Sequence, residues 1–215
     1  MIHAYEANMR PKAQATLGRA LDFAAYEIGY VPEDFLSLFI ESGLAKRFGE
    51  GDPSIIMGKS GVELALLVME QTIGIQRPVR IRFSLERSKE YWMGWALAYY
   101  QWETGLSFRA IFNAIPIEAV KDMYFVYHEL DITHFVERMN SLYLQHCPLT
   151  NLKRLRKHLG LTQEDLAAAS GVPVRTVQQY EQRRKDINKA QLETVAALAR
   201  ALHCRPDDLL ERIAS

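Results

Sequence analysis

The 215-residue chain is poor in several things, and each shortage excludes a class. It has two cysteines, Cys147 and Cys204. That is too few for a disulfide scaffold, and the pair reads as reduced thiols in a reducing compartment. Twelve glycines and eight prolines exclude a collagen or a linker protein. No fully apolar stretch exceeds a handful of residues, whereas crossing a bilayer takes ~20. The opening MIHAYEANMRPK lacks a basic-then-apolar leader, so the expectation is a cytoplasmic protein with no membrane partner. Net charge is also missing, with 26 basic residues against 26 acidic ones. What remains is 48% hydrophobic and 24% charged, close to the soluble average, which excludes a disordered chain. The length admits one large domain or two of ~100–200 residues.

The balanced total hides an asymmetry. From Pro148 onward there are twelve Lys and Arg against eight Asp and Glu, and the rest of the chain carries the opposite excess. A basic tail joined to an acidic body suits a nucleic-acid module with a separate sensing or binding domain. The expected division is 1–147 and 148–215, with a short join through Cys147-Pro148 that is not rich in Gly or Ser and holds the two close.

The body reads as mainly all-α. Apolar residues at helical spacing run from Pro11 to about Ile28, and Pro32 opens a helix to about Leu44. Ser60 and Glu63 form a capping box before the apolar run Leu64–Met69. Two short β-favouring pieces, Ser54–Met57 and Val79–Phe83, can pair as a small ribbon. Further helices are expected over Glu86–Glu103, from Ser107, from Pro116 to about Glu129, and from Asp131 to His146, where Cys147-Pro148 stops the last one. The first of these holds three Trp and three Tyr, with Trp92, Trp95, Ala96, Tyr99 and Trp102 on one stripe. Such a stripe is either a core helix or a groove for a partner or ligand.

Two motifs in the body do not carry the chemistry they suggest. Met57-Gly58-Lys59-Ser60 ends like a phosphate-binding loop, but Pro53 stands where the first glycine is required. His128-Glu129 and His134 suggest a zinc helix, but histidines six residues apart cannot share a helix face. No catalytic residue, metal ligand or cofactor is assigned, and the expectation is a protein that is not an enzyme.

The tail is more informative. Asn151–Gly160 reads as a basic helix. Thr162 and Asp165 cap a second, Gly171 allows a tight left-handed turn, and Val174 to Gln182 form a third with Val177 and Tyr180 inward. Asn188 and Gln191 can cap a helix with the inner stripe Leu192, Val195, Leu198, Ala199 and Leu202, and Pro206 opens a last one with Leu209 and Leu210. This is a helix, a tight turn and a helix within a five-helix domain.

Leu152 to Glu211 resembles the Cro/CI repressor-like, or XRE, helix-turn-helix family. The marks are TQEDLA, the GV before the second helix of the motif, V-x-x-Y-E, L-x-x-V-A-A-L-A and DDLLE. The resemblance implies a lambda-repressor-like domain on double-stranded DNA, usually as a homodimer. The family often has Asn-Gly after the Glu of the recognition helix, whereas Gln182 and Arg183 stand here, so a slightly longer helix is expected. Docking in the major groove leaves Val174, Arg175, Gln178 and Gln179 to face the bases. Gln163 resembles the family's phosphate-anchoring glutamine. Thr162, Thr176, Arg183, Arg184, Lys185 and Lys189 are the other phosphate candidates. The body resembles the N-terminal part of uncharacterised bacterial XRE-type regulators, and is expected to dimerise or to bind a protein partner or small-molecule effector. The alternatives are an antitoxin whose tail autoregulates, and an enzyme-like body fused to a DNA-binding tail.

Overall fold

The computed structural model describes residues 3–74, 87–146, 149–211 and 213. It divides into two compact units, Met1–Tyr143 and Leu144–Ser215. Among the described residues there are helices and no strands.

The first unit is built around α1 (Arg10–Phe23), which packs against α5 (Gly61–Ile73) and α6 (Lys89–Thr104). Small residues make this possible. Ala13, Leu17 and Ala20 are fully buried on α1, and three glycines let backbones meet. A Cβ on Gly94 of α6 would lie 2.5 Å from the Leu17 carbonyl oxygen, and one on Gly61 of α5 would lie 2.5 Å from that of Thr16. A Cβ on Gly18 would stand 2.9 Å from the Tyr91 carbonyl. Helix α1 runs on into a π-helical turn, Ala24–Ile28, closed by Gly29 at φ 88°.

Around this centre lie α2 (Pro32–Glu41), α3 (Leu44–Gly49), α4 (Pro53–Ile56) and α7 (Phe108–Ala114). Phe39, Phe48 and Phe108 meet edge to face there, with centroids 5.5–5.9 Å apart. Helix α8 (Ile117–Tyr127) packs on α6, and α9 (Ile132–His146) brings Phe135 against Trp92 and Tyr100. The capping box of Ser60 and Glu63 forms as its sequence requires, and Ser107 caps α7.

Three expectations for the body change. Ser54–Met57 is not half of a β ribbon: Asp52 accepts from the Ser54 amide, and Pro53 at the first position winds the segment into a helical turn. Val79–Phe83 and the Cys147-Pro148 join lie outside the described residues. The stretch from Pro32 to Leu44 breaks at Gly43, whose φ of 75° ends α2 and starts α3 as a separate helix. The aromatic stripe divides: Ala96 and Trp102 are buried, while Trp92, Trp95 and Tyr99 are half-exposed. Trp102 is covered by the N-terminal segment, which stacks His3 on its ring and accepts its indole N–H at the Tyr5 carbonyl.

The second unit consists of α10 (Asn151–His158), α11 (Gln163–Ser170), α12 (Val174–Glu181) and α13 (Leu192–Ala201), with 3-10 turns at Ile187–Lys189 and Pro206–Leu209. The expected fifth helix is thus a single 3-10 turn. Leu152, Leu166, Val177, Leu198 and Leu209 form its core. Leu192, placed on the inner stripe by periodicity, is 77% exposed because it is the first residue of α13 and lies beyond the core. Asn188 does not cap α13. Its side chain exchanges two hydrogen bonds with the backbone of Glu211, and Asn151 holds the Leu210 carbonyl. The C-terminal segment is thereby fastened back onto the domain.

Candidate nucleic-acid interface

The interface is built on α11, the turn after it and α12. Thr162 and Asp165 cap α11 reciprocally: the Thr162 hydroxyl accepts the Asp165 amide, and the Asp165 carboxylate accepts the Thr162 amide and hydroxyl. These bonds hold the Asp165 carboxyl below its ordinary value. Gly171 then ends the helix at φ 71°, Val172 drops into the core, and Pro173 starts α12.

One arc of α12 is buried, formed by Val177, Tyr180 and Glu181. At ~100° per residue, Arg175, Gln178 and Gln179 occupy the opposite arc, and Val174 lies at its margin beside Glu181. None of the four is buried, and Arg175 is exposed. Thr176 is half-buried at the edge between the arcs.

Glu181 is the residue that sequence reasoning missed. Its side chain is 1% exposed and accepts two hydrogen bonds from the Arg156 guanidinium of α10, at 2.6 and 2.9 Å. Gln163, at the start of α11, adds a third through its side-chain amide at 2.8 Å. Burial would raise the Glu181 carboxyl, but these bonds outweigh it and hold the group below its ordinary value. The same bonds raise the Arg156 guanidinium. One carboxylate therefore ties α10, α11 and α12 together at the C-terminal end of the exposed arc. The signal was present in the sequence: Glu181 lies one turn after Val177, and Arg156 one turn after Leu152, both on buried faces.

This arrangement alters the standing of three phosphate candidates. Gln163 commits its amide N–H to Glu181, so its carboxamide is fixed in orientation. Thr162 commits its hydroxyl to Asp165. Arg183 turns toward Glu211, 4.0 Å away. Arg184 and Lys185 are exposed, with the Lys185 ammonium 5.8 Å from the centre of the Tyr180 ring. Lys189 is exposed and 3.6 Å from Asp186.

The departure from the family after Glu181 does not lengthen the helix. Arg183 takes a left-handed φ of 54°. Its amide bonds the Tyr180 carbonyl, and that of Arg184 bonds Gln179. This is the Schellman closure that glycine usually supplies. The same closure ends α10 at Gly160 and α13 at His203. There the next residues, Leu161 and Cys204, pack against the core. After α12 the corresponding residue is Arg184, which goes to solvent.

Residues 152–209 match the helix-turn-helix family, and the C-terminal region carries a DNA-binding domain of the Cro/CI, or XRE, type. No curated protein and no solved structure matched the chain.

Proposed function

We propose that the protein is a sequence-specific transcriptional regulator that reads the major groove with α12. The observation that carries this is the unburied arc of Val174, Arg175, Gln178 and Gln179, with Arg175 exposed, clamped from behind by Glu181, Arg156 and Gln163 and followed by the exposed cations Arg184 and Lys185. Arg175 can fork onto guanine O6 and N7, the two glutamines can pair with adenine N6 and N7, and Val174 can meet a thymine methyl. Arg184 and Lys185 contact phosphate on either side, with Thr176, Arg183 and Lys189 at the margin. The protein acts on cytoplasmic DNA as a homodimer, since one such unit reads too few base pairs to select a site. The body serves assembly or sensing and performs no catalysis. Among the described residues no helix is long and apolar enough to cross a membrane.

The test is selection of bound sites from a random DNA library, followed by salt titration of the selected and a scrambled site. A regulator of this kind returns an inverted repeat, and its affinity falls steeply with salt on both sites. Recovery of no enriched sequence, or binding indifferent to salt, sinks the reading.

A further inference from the structure

The half-exposed aromatics of α6 do not lie on a flat surface. Trp92 and Trp95, one turn apart, form one wall of a cavity of about 290 Å³, and Tyr124, Tyr127 and His128 from the end of α8 form the other. The walls are braced. Trp92 meets Tyr124 edge to face at 5.7 Å and Phe135 at 5.4 Å, and His128 stacks on Tyr124 at 4.4 Å. The His128 ring is also held by the Tyr124 carbonyl at 2.7 Å. These rings are fixed by packing rather than left to rearrange, which lowers the entropy lost when something is bound between them.

Among the described lining residues the permanent charge is that of Arg87. Arg87 stands at its edge, with its guanidinium 5.2 Å from the centre of the Tyr91 ring. The described lining contains no carboxylate. Three acids lie near it: Glu90 accepts from the Tyr26 hydroxyl at 2.9 Å, Asp131, between the lining residues Leu130 and Ile132, accepts from the Thr133 amide and hydroxyl, and Glu129 lies 3.6 Å from the other nitrogen of His128. A cation placed over these rings would be drawn by their quadrupoles but opposed by the Arg87 guanidinium, whereas a carboxylate is attracted to it.

We propose that this cavity is a binding site for a small flat aromatic carboxylate, its ring between the Trp92–Trp95 wall and Tyr127 and its carboxylate on Arg87. The volume lies just below the ~300–1,000 Å³ span of drug-sized ligand sites, which suits one or two fused rings. Arg recognises a carboxylate by paired, charge-assisted hydrogen bonds. The site names a ligand class for the sensing role of the body and rests on that role only for its purpose, because its occupancy is measured without DNA.

Naphthalene-2-carboxylate and indole-3-acetate are titrated into the full chain, beside naphthalene-2-carboxamide and 2-naphthylmethylammonium. Binding is read by calorimetry. A carboxylate is expected to saturate the site and to bind about tenfold or more tightly than the amide, the factor expected of one charge-assisted contact. Arg87→Gln should abolish that preference, and Trp95→Leu should abolish binding. Arg87 is exposed, so its variant keeps the fold even if Trp95→Leu does not. No saturable carboxylate binding, an ammonium bound as tightly as the carboxylate, or an Arg87→Gln chain with unchanged preference overturns the proposal. So does a change of sedimentation mass in Trp95→Leu that neither carboxylate reproduces in the parent chain, since the cavity would then be a protein interface.

Discussion

Glu181 concentrates the energetics of the second unit in one side chain. Removing one partner of a buried ion pair leaves the other charge uncompensated, at ~3–5 kcal/mol. Glu181→Ala should destabilise the Leu144–Ser215 unit by about that much, whereas Arg156→Met combined with Glu181→Leu should cost far less; urea denaturation of the three fragments, followed by helical circular dichroism, measures both. The clamp also has a pH signature. A carboxyl held below its ordinary value adds stability above that value, ~4.3 for Glu, and loses it as the pH falls through the lower folded value. Glu211 has the opposite sign. Burial raises it more than the Asn151 amide, Arg183 and Arg154 lower it, so its contribution is present below the ordinary value and is lost as the pH rises through the raised one. Denaturation midpoints between pH 3 and 7 should show Glu181→Gln removing the acid-side loss and Glu211→Gln removing the decline above it. On DNA, Arg175→Ala should weaken the selected site by ~1–3 kcal/mol and relax one base position, while Arg184→Ala should weaken all sequences alike and flatten the salt slope. Equal loss on selected and scrambled DNA for Arg175→Ala would place the base-reading arc elsewhere.

Helices in this protein are set by how they end and how closely they cross. A left-handed conformation costs a side-chain-bearing residue ~1–2 kcal/mol, partly offset by the extra chain entropy glycine brings to the unfolded state. Arg183→Gly should therefore leave the second unit as stable as before or up to ~1 kcal/mol more stable, despite loss of the distant Glu211 contact. A clear destabilisation in thermal melts would mean that the arginine side chain is worth more than its backbone strain. In the body, Gly94→Ala drives a methyl into the Leu17 carbonyl. Backbone cannot yield there as a flexible side chain can, so a loss of ~1–3 kcal/mol is expected, seen as an earlier tryptophan fluorescence transition.

At the scale of the whole chain, the tail has its own core and the body has another. The Leu144–Ser215 unit alone should fold and contact DNA, and where the body serves assembly, one of its two proposed roles, it should bind the selected inverted repeat much more weakly than the full chain. Gel shifts and sedimentation of both forms decide this. Equal affinity and equal mass for fragment and full chain would remove assembly from the body and leave ligand or partner capture as its role.

The helix-turn-helix motif was legible in the sequence because its determinants are local. A capping box, a glycine in the turn and an apolar residue on each turn of one face fix α11 and α12 within a few residues of chain. The same holds for Ser60–Glu63 and Ser107. Where the reading failed, either a local signal was outweighed or partners far along the chain decided. Ser54–Met57 has β-favouring side chains, but the Asp52 cap and Pro53 turned it into a helix whose Ile55 and Ile56 are buried. The divided aromatic stripe of α6 depended on which neighbours arrived: α1 met its glycine face, while the ends of α8 and α9 left Trp92 and Trp95 lining a cavity. Gln163 has the local setting of a phosphate ligand, and only the approach of α10 and α12 assigned its amide to Glu181. Caps and periodicity act over one or two turns of helix, whereas burial of a charge or an indole depends on surfaces that meet only in the folded chain.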